Sequence, residues 1–302
     1  MNVLKFGGSS VANSSNINKV IDIIKKESEK DKLFVVVSAL GGITDLLLKA
    51  GEKASKGNED YKDVISEIES RHLQVIKELI PVKVQSPVIS KIKSEINKLE
   101  SLCEGIFLLN ELTPKTTAVL SSFGELFSSF IIYHSAKAQD LDIILNDSRD
   151  YIIKFQNSHT GINYIETNKR IDTLYKSSQN KILLFPGFIA KTETGEPATL
   201  GRGGSDFTAA ILAAAVKANE LQIWTDVSGM YTANPKLVKQ ARPVSHISYQ
   251  EAMELSHFGA KVIYPPTIHP VLEKNIPIHI KNTFNPEDEG TLITRSVDNQ
   301  QR

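Results

Sequence analysis

The fold is decided by a short stretch near the N-terminus, VLKFGGSS at residues 3–10. Residues typical of a strand run directly into two glycines, and apolar residues at helical spacing follow between Ile17 and Glu29. The next segment, LFVVV at residues 33–37, is an uninterrupted run of the kind found in strands that are buried on both faces. Strand, glycine turn, helix and strand together predict a βαβ unit with a right-handed crossover.

The same alternation returns in the second half of the chain. Strands are predicted at 143–145, 182–185, 222–225, 278–281 and 291–293, and an alanine-rich helix at 205–218. Between about residues 44 and 140, helical periodicity dominates, broken by Pro81, Pro87 and Pro114, which predicts a helical insertion packed beside the sheet. We therefore expect an α/β fold with a mostly parallel sheet, and ligands at the carboxyl ends of its strands, where both glycine loops would lie.

Composition excludes several classes of protein. The 302 residues are 41% hydrophobic and 23% charged, which excludes a disordered or fibrous chain. The 35 basic residues equal the 35 acidic ones, so we expect neither a nucleic-acid surface nor a membrane surface. No apolar run approaches the ~18 residues of a membrane span.

The N-terminus and the single cysteine bear on the compartment. Lys5 and two glycines come too early for a signal peptide. Cys103 has no partner for an internal disulfide, and we interpret it as a small buried hydrophobe. The histidines show no metal-ligand spacing, so no metal-ligating residues are assigned. A reducing, cytoplasmic setting is the expectation.

The first glycine loop could bind an anion, because glycines after a strand let backbone N–H groups approach a ligand and the next helix start adds its positive dipole end. Lys5 is a cation in a strand that otherwise reads as core. Either it stabilises a transferring phosphoryl group, or it lies on an edge strand and faces water; the sequence leaves both open. The stretch lacks the Gly-Lys-Ser/Thr of a P-loop, which excludes a Walker-type NTPase.

The second glycine loop is LGRGGSD at residues 200–206. It fails as a dinucleotide-binding motif, because Asp206 stands where that motif has glycine. Ser205 or Asp206 could simply be the N-cap of the following helix. Arg202 between glycines is harder to explain structurally, and its planar fork favours a bound carboxylate.

Three further segments carry candidate residues with structural alternatives. Glu125 could hold a substrate ammonium group, but Ser122 and Glu125 also have capping-box spacing. The stretch WTDVSGMYTANPK at 224–236 suits a nucleotide base and its phosphates, although a plain surface loop would look similar. Lys261 in FGAK at 258–261 could bind phosphate or complement a helix dipole, and the second reading is favoured when the segment is taken alone.

Taken together and in order, these motifs resemble the aspartokinases of the amino-acid kinase superfamily. The stretches that carry the resemblance are KFGGSSV (5–11), GRGGSD (201–206), WTDVSGMYT (224–232) and FGAKV (258–262). The stretch ISYQEAMEL at 247–255 is similar to the kinase half of bifunctional aspartokinase–homoserine dehydrogenases. The resemblance covers nearly the whole chain.

That resemblance implies a three-layer α/β/α sandwich with a mostly parallel sheet and a helical insertion. One catalytic domain would cover residues 1–302, with an aspartate-binding lobe at 1–200, which holds the insertion, and a nucleotide-binding lobe at 201–295. The implied reaction moves the γ-phosphoryl of ATP, with Mg²⁺, to the β-carboxylate of L-aspartate. The product, 4-phospho-L-aspartate, begins lysine, threonine and methionine biosynthesis.

The resemblance also implies roles for individual residues. Lys5 and Asp206 match catalytic positions. Aspartate would be bound by Thr44, Glu125, Arg202, Gly203, Gly204 and Ser205. The nucleotide would be bound by Lys5, Gly7, Gly8, Ser9, Thr225, Asp226, Tyr231, Lys236 and Lys261. The α-amino and α-carboxylate ends of aspartate would face Glu125 and Arg202. The alternative enzymes are relatives in the superfamily that act on glutamate, carbamate or UMP, and this pair of residues favours an α-amino acid over that set of acceptors.

Some positions depart from the family pattern. Asn234 replaces the usual acidic residue before Pro235, and Lys236 replaces an arginine, which keeps the charge but loses the fork. Residues 264–267 read YPPT where the family often has His-Pro-Arg-Thr. These changes bear on nucleotide affinity more than on chemistry.

The implied partners go beyond the small molecules. Family members usually continue into ACT domains, and bifunctional ones into a dehydrogenase, whereas this chain stops soon after residues 290–293. We expect a homo-oligomer, and fusion to ACT and homoserine dehydrogenase regions in a longer natural chain. The alternative to an enzyme is a catalytically weak domain that mainly binds a ligand or a partner. That alternative would require the loss of charged residues at the positions that match the aspartokinase site.

Overall fold

A computed structural model describes residues 1–156, 161–233, 237–257, 263–264 and 268–296. Its strands, in chain order, are β1 (Asn2–Phe6), β2 (Leu33–Val37), β3 (Ile143–Leu145), β4 (Ile153–Lys154), β5 (Ile182–Pro186), β6 (Ile189–Thr192), β7 (Pro197–Thr199), β8 (Glu220–Thr225), β9 (Met230–Tyr231), β10 (Pro243–Val244), β11 (His246–Ser248), β12 (Ile278–Asn282) and β13 (Thr291–Thr294). Its α-helices are α1 (Ser14–Lys30), α2 (Ile43–Ser55), α3 (Tyr61–Leu79), α4 (Val82–Leu109), α5 (Pro114–Lys137), α6 (Tyr164–Ser177), α7 (Gly204–Val216), α8 (Tyr249–His257) and α9 (His269–Glu273).

The central sheet has eight strands in the order β11-β13-β12-β8-β1-β2-β5-β3. Every neighbouring pair is parallel except β12 and β13. The predicted βαβ unit is present, with β1 and β2 paired in register from Asn2 opposite Leu33. All five residues of β2 are buried, as the uninterrupted apolar run predicts. The mostly parallel α/β class is confirmed.

Alternating residues of the central strands enter two different cores, which makes the molecule a three-layer sandwich. Leu4 and Val35 belong to the core with α1 and the helices α2 to α5. Val3 and Phe34 belong to the core with α6 to α9. Side chains alternate across a strand, so each helical layer covers one face of the sheet.

The region predicted as a helical insertion consists of α2 to α5. Pro81 and Pro114 lie at the starts of α4 and α5, as expected of breakers. The predicted break at Pro87 is wrong, because α4 continues through it. Proline there removes one backbone hydrogen bond, and the buried face from Val88 to Cys103 holds the helix together. Cys103 is fully buried, and burial raises the pKa of its thiol to about 12, which agrees with its interpretation as a small hydrophobe.

Two small sheets were not predicted. β4, β6 and β7 form one, and β9 and β10 form the other. Their strands have only two to four residues, which is too short for a periodic pattern to appear. The three-stranded sheet matters for function, because β7 leads directly into the second glycine loop and α7. Among the described residues no helix is long and apolar enough to cross a membrane.

Candidate active site

A cavity of about 400 Å³ opens where β1 and β2 end. Three loops and one helix form its wall: the loop after β1, the loop after β2, the second glycine loop and α5. The predicted site residues that line it are Lys5, Gly8, Thr44, Glu125, Arg202, Gly203, Gly204, Ser205 and Asp206. Its position at the carboxyl ends of parallel strands is where ligands bind in sheets of this type.

Lys5 lies in the middle of the sheet. Its strand β1 is hydrogen-bonded to β2 on one side and β8 on the other, so the edge-strand interpretation is wrong. The side chain is 11% exposed, and its Nζ lies 2.6 Å from Oδ1 of Asp206, which is 13% exposed. A lysine this buried needs a counter-charge, and Asp206 supplies it from the first turn of α7. The pair joins the two glycine loops.

The first glycine loop passes very close to neighbouring backbone. A Cβ on Gly8 would lie 3.3 Å from the Ala39 carbonyl oxygen, and one on Gly7 would lie 3.5 Å from Lys5 Nζ. The Gly7 N–H donates to the carbonyl of Trp224 at 3.2 Å. The Ser10 hydroxyl lies 2.7 Å from that of Thr283, at the end of β12. The loop is therefore held between the ends of β8 and β12, with little room for side chains.

The second glycine loop begins α7 without a side-chain cap. Gly203, with φ of +69°, is the N-cap residue, so the interpretation of Ser205 or Asp206 as the cap is wrong. The positive end of the α7 dipole therefore faces the cavity with Lys5 and Arg202 nearby. Arg202 is exposed, and its guanidinium carbon lies 5.3 Å from the ring centroid of Tyr264. The arrangement favours an anionic ligand.

Glu125 lies in the middle of α5, so its capping-box interpretation is wrong. The cap of α5 is Thr113, which accepts from the N–H of Thr116. Glu125 is 4% exposed, and its Oε2 has no hydrogen-bond partner among the described residues. Burial raises the pKa of this carboxyl to about 8, although a backbone hydrogen bond from Ala39 opposes part of that rise. A buried carboxyl with an open oxygen beside a cavity is suited to a cationic group of a ligand.

The loop between β2 and α2 contributes most of the wall that sequence reasoning missed. Thr44, in the first turn of α2, is the residue assigned nearby, but Ser38, Leu40 and the glycines at 41–42 of this loop, and Asp45 of α2, also line the cavity. Gly42 is the N-cap of α2, with φ of +79°. A signal was available, because a buried strand followed by two glycines and a helix repeats the pattern of the first loop.

Of the residues assigned to the nucleotide, Lys5 and Gly8 line this cavity, and the other described ones lie in the first loop or at the neighbouring strand ends, outside its wall. Thr225 ends β8, its hydroxyl donates to Asp226 at 3.1 Å, and its carbonyl accepts from the Thr283 N–H at 2.9 Å. Tyr231 lies in β9, and Gly7 and Ser9 belong to the first loop. Lys236, Lys261, residues 234–235 and the segments 258–260 and 265–267 lie outside the described residues. The described part of the chain has no cluster of three metal-ligating side chains.

The fold and this cavity together correspond to a known class. Residues 1–282 match the sequence model of the Amino acid kinase family, and the chain belongs to that family. A bifunctional aspartokinase/homoserine dehydrogenase of Buchnera aphidicola is 37% identical over 303 residues, which cover 97% of this chain and 36% of the relative. Aspartokinase 1 of Arabidopsis thaliana, a chloroplast protein, is 35% identical over 313 residues, covering 98% of this chain and 52% of the relative.

A solved structure gives the same answer for the fold. Escherichia coli aspartokinase III in complex with aspartate and ADP superposes with a TM-score of 0.89 at 29% identity, covering 99% of this chain and 65% of that one. The resemblance to aspartokinases that the motifs carried is confirmed, as is the three-layer fold it implied. The chain spans between a third and a half of the length of these curated relatives.

Proposed function

We propose that this chain is an aspartate kinase, which transfers the γ-phosphoryl group of ATP to the β-carboxylate of L-aspartate and forms 4-phospho-L-aspartate and ADP. The observation that carries the proposal is that Glu125, Arg202 and the Lys5–Asp206 pair line one and the same cavity. The aspartokinase names of the relatives, and the aspartate and ADP bound to the E. coli enzyme, support the same assignment.

Two residues of the cavity wall carry groups that are suited to the two charged ends of an α-amino acid. Glu125 offers an unpaired carboxyl oxygen for an ammonium group, and Arg202 offers a guanidinium for the α-carboxylate. Charge-assisted hydrogen bonds of this kind are each worth about 1.5–3 kcal/mol. If both ends are gripped, the side-chain carboxylate is left free to meet the phosphoryl group. Thr44 and Ser205 complete the proposed aspartate contacts.

The chemical step needs little beyond positioning and charge. The β-carboxylate is already ionised at neutral pH, so no general base is required. The barrier comes from bringing two anions together, and Lys5, the backbone N–H groups of the glycine loops and the α7 dipole would offset that repulsion. Asp206 would fix where the Lys5 ammonium group points.

Mg²⁺ and ATP fit this arrangement. Mg²⁺ is usually held by one or two carboxylates together with nucleotide phosphates. Asp206, partly exposed in the cavity wall, is the carboxylate we assign to it, and the ion would neutralise phosphate charge. The nucleotide would lie against the end of β8 and contact Thr225, Asp226 and Tyr231. The division into lobes at 1–200 and 201–295 rests on this placement.

Some assignments stay predictions. They are the nucleotide contacts of Lys236 and Lys261, the homo-oligomeric state, the cytoplasmic setting and the fusion to ACT and homoserine dehydrogenase regions. By their names, the bifunctional relatives join a kinase and a dehydrogenase in one chain.

An acceptor panel tests the proposal. ADP release from Mg-ATP would be measured with L-aspartate, L-glutamate, carbamate and UMP under the same conditions. We expect aspartate to exceed glutamate in kcat/KM by about 10- to 200-fold, the usual effect of one methylene. Turnover with glutamate, carbamate or UMP but none with aspartate would refute the assignment, and no turnover with any acceptor would favour a domain that only binds ligand.

A further inference from the structure

Arg71, on the insertion helix α3, reaches the loop that forms the cavity wall after β2. Its Nη2 donates to the carbonyl of Gly41 at 2.6 Å, and its Nη1 lies 3.8 Å from the position that a Cβ on Gly42 would occupy. Gly41 and Gly42 both line the cavity. The guanidinium therefore lies behind one peptide unit of the wall.

That peptide unit is tightly enclosed on its other side. A Cβ on Gly41 would lie 2.9 Å from the Ala12 Cβ and 3.2 Å from the Gly8 carbonyl oxygen. Gly41 is thus pressed against the first glycine loop while Arg71 holds its carbonyl. The neighbouring carbonyls of Leu40 and Gly42 accept from the N–H groups of Ile43 and Leu46. With the bond from Arg71 to the Gly41 carbonyl, all three successive carbonyls of residues 40–42 accept a hydrogen bond.

The direction of the peptide follows from its geometry. In a trans peptide the C=O and the following N–H point in opposite directions. The described residues contain no cis peptide bond, so a Gly41 carbonyl that points to α3 turns the Gly42 N–H away from α3. No hydrogen bond joins that amide to another described residue. It is free for a ligand.

Arg71 also forms no ion pair with a described residue. Arg149 and Arg170 both form ion pairs, whereas no carboxylate within the described ranges lies within 4.0 Å of the Arg71 guanidinium. A cation one peptide behind the wall polarises that peptide, and its N–H becomes a stronger donor to an anion.

We propose that Arg71 is a positioning residue for the acceptor substrate. It orients the Gly41–Gly42 peptide so that the Gly42 amide and the N-terminus of α2, which carries Thr44, face an anionic group of the acceptor. The inference rests on the proposed function, because the acceptor is taken to be aspartate. It extends the site to a helix of the insertion that does not touch the substrate.

Three variants test the proposal. Arg71→Met removes the bond and the charge but keeps much of the side chain's length. Arg71→Lys keeps the charge and a donor group but loses the planar fork. Arg170→Met is the matched control, because Arg170 also lies on a helix and donates to a backbone carbonyl, that of Asp150, away from the cavity.

Two measurements are needed, one of them independent of activity. Steady-state kinetics would give KM for aspartate, KM for ATP and kcat. Amide hydrogen exchange of the 38–46 segment would report whether the loop is held. For Arg71→Met we expect kcat/KM for aspartate to fall about 10- to 100-fold, mainly through KM, the loss that one charge-assisted hydrogen bond predicts.

For Arg71→Met we also expect an unchanged KM for ATP and faster hydrogen exchange in the 38–46 segment. Arg71→Lys should recover part of the loss in kcat/KM, and Arg170→Met should show normal kinetics and normal exchange. A lower melting temperature with unchanged KM and unchanged exchange would overturn it. If Arg71→Met does not fold, a normal KM for aspartate in Arg71→Lys together with normal exchange would overturn it as well. A third outcome separates the two proposals. If the wild-type protein does not turn over aspartate, but substitution of Arg71 still speeds amide exchange in the 38–46 segment, the proposed substrate is refuted and the role of Arg71 in the loop is supported.

Discussion

Lys5 Nζ lies 2.6 Å from Asp206 Oδ1, and this ion pair links the two glycine loops at the centre of the molecule. The lysine comes from a strand with neighbours on both sides, and the aspartate from the first turn of α7. We propose that Lys5 stabilises the charge of the phosphoryl group and that Asp206 orients the Lys5 side chain. The pair therefore connects the stability of the sheet to the chemistry proposed for the cavity.

Lys5→Ala should mainly lower kcat. If the ammonium group acts on the transferring phosphoryl group like a single oxyanion donor, the loss is about 10²- to 10³-fold. Single-turnover kinetics with saturating Mg-ATP and aspartate would measure it. Lys32→Ala is a suitable control, because Lys32 is bonded to the carbonyls of Tyr175 and Ser178 at the opposite end of the sheet. Normal turnover in Lys5→Ala would contradict the assigned role.

Asp206→Asn should destabilise the fold, because it leaves the Lys5 cation buried without a counter-charge. Breaking a fully buried pair on one side costs about 3–5 kcal/mol in unfolding free energy, and the partial exposure of Lys5 and Asp206 to the cavity should keep the loss below that range. The double variant Lys5→Met with Asp206→Asn should recover part of that loss, which urea unfolding of all four proteins would show. Additive losses would mean that the two side chains do not act as a pair.

Arg202→Ala should raise KM for aspartate and change kcat little, because the guanidinium is proposed to bind the α-carboxylate in the ground state. Arg202→Lys should recover the charge but not the planar fork, and so restore the affinity only in part. Initial rates over a range of aspartate concentrations would separate KM from kcat. An unchanged KM would remove Arg202 from the aspartate site.

Glu125 gives a pH dependence of stability with a definite sign. Its pKa rises from the ordinary value of 4.5 to about 8 because the carboxyl is buried. Between these values the native state holds a proton that the unfolded state has lost, so stability falls as pH rises, by up to about 1.4 kcal/mol per pH unit. Below the lower value the contribution is constant.

Glu125→Gln cannot lose that proton, so its unfolding free energy should vary less between pH 4.5 and 8. Denaturant unfolding of both proteins across this range would measure the difference. Parallel curves for wild type and variant would contradict the burial argument. The substrate readout is separate: Glu125→Gln should also weaken aspartate binding, because a bound ammonium group lowers the pKa of Glu125 and favours its carboxylate form, whereas an amide cannot become charged.

The sequence predicted the large elements because their patterns are long. The run at 33–37 fits a strand buried on both faces, α1 comes after the first glycine turn, and α7 begins within the second. Sequence patterns did not predict the shortest strands, because two to four residues are too few to show a hydrophobic period. These strands are β4, β6, β7, β9 and β10. Pro87 was misjudged because its local effect was outweighed by the packing of the rest of α4.

The motifs predicted which residues belong to the site, but they did not predict how these residues are arranged in space. The spacing of Ser122 and Glu125 fits a helix start, and only the true start at Pro114 shows that Glu125 is buried mid-helix. Lys5 reads equally well as exposed or buried until β8 is seen beside β1. Arg71 carries no motif at all, because its contact with Gly41 depends on how α3 packs against α2.

The chemical identity of the product decides whether this chain is an aspartate kinase. The protein would be incubated with Mg-ATP, L-aspartate and hydroxylamine, which traps an acyl phosphate as a hydroxamate, and the trapped species would be analysed by NMR. We expect the β-hydroxamate of aspartate, formed in step with ADP. An α-hydroxamate, a hydroxamate formed with glutamate but not with aspartate, or ADP release without any hydroxamate would contradict it.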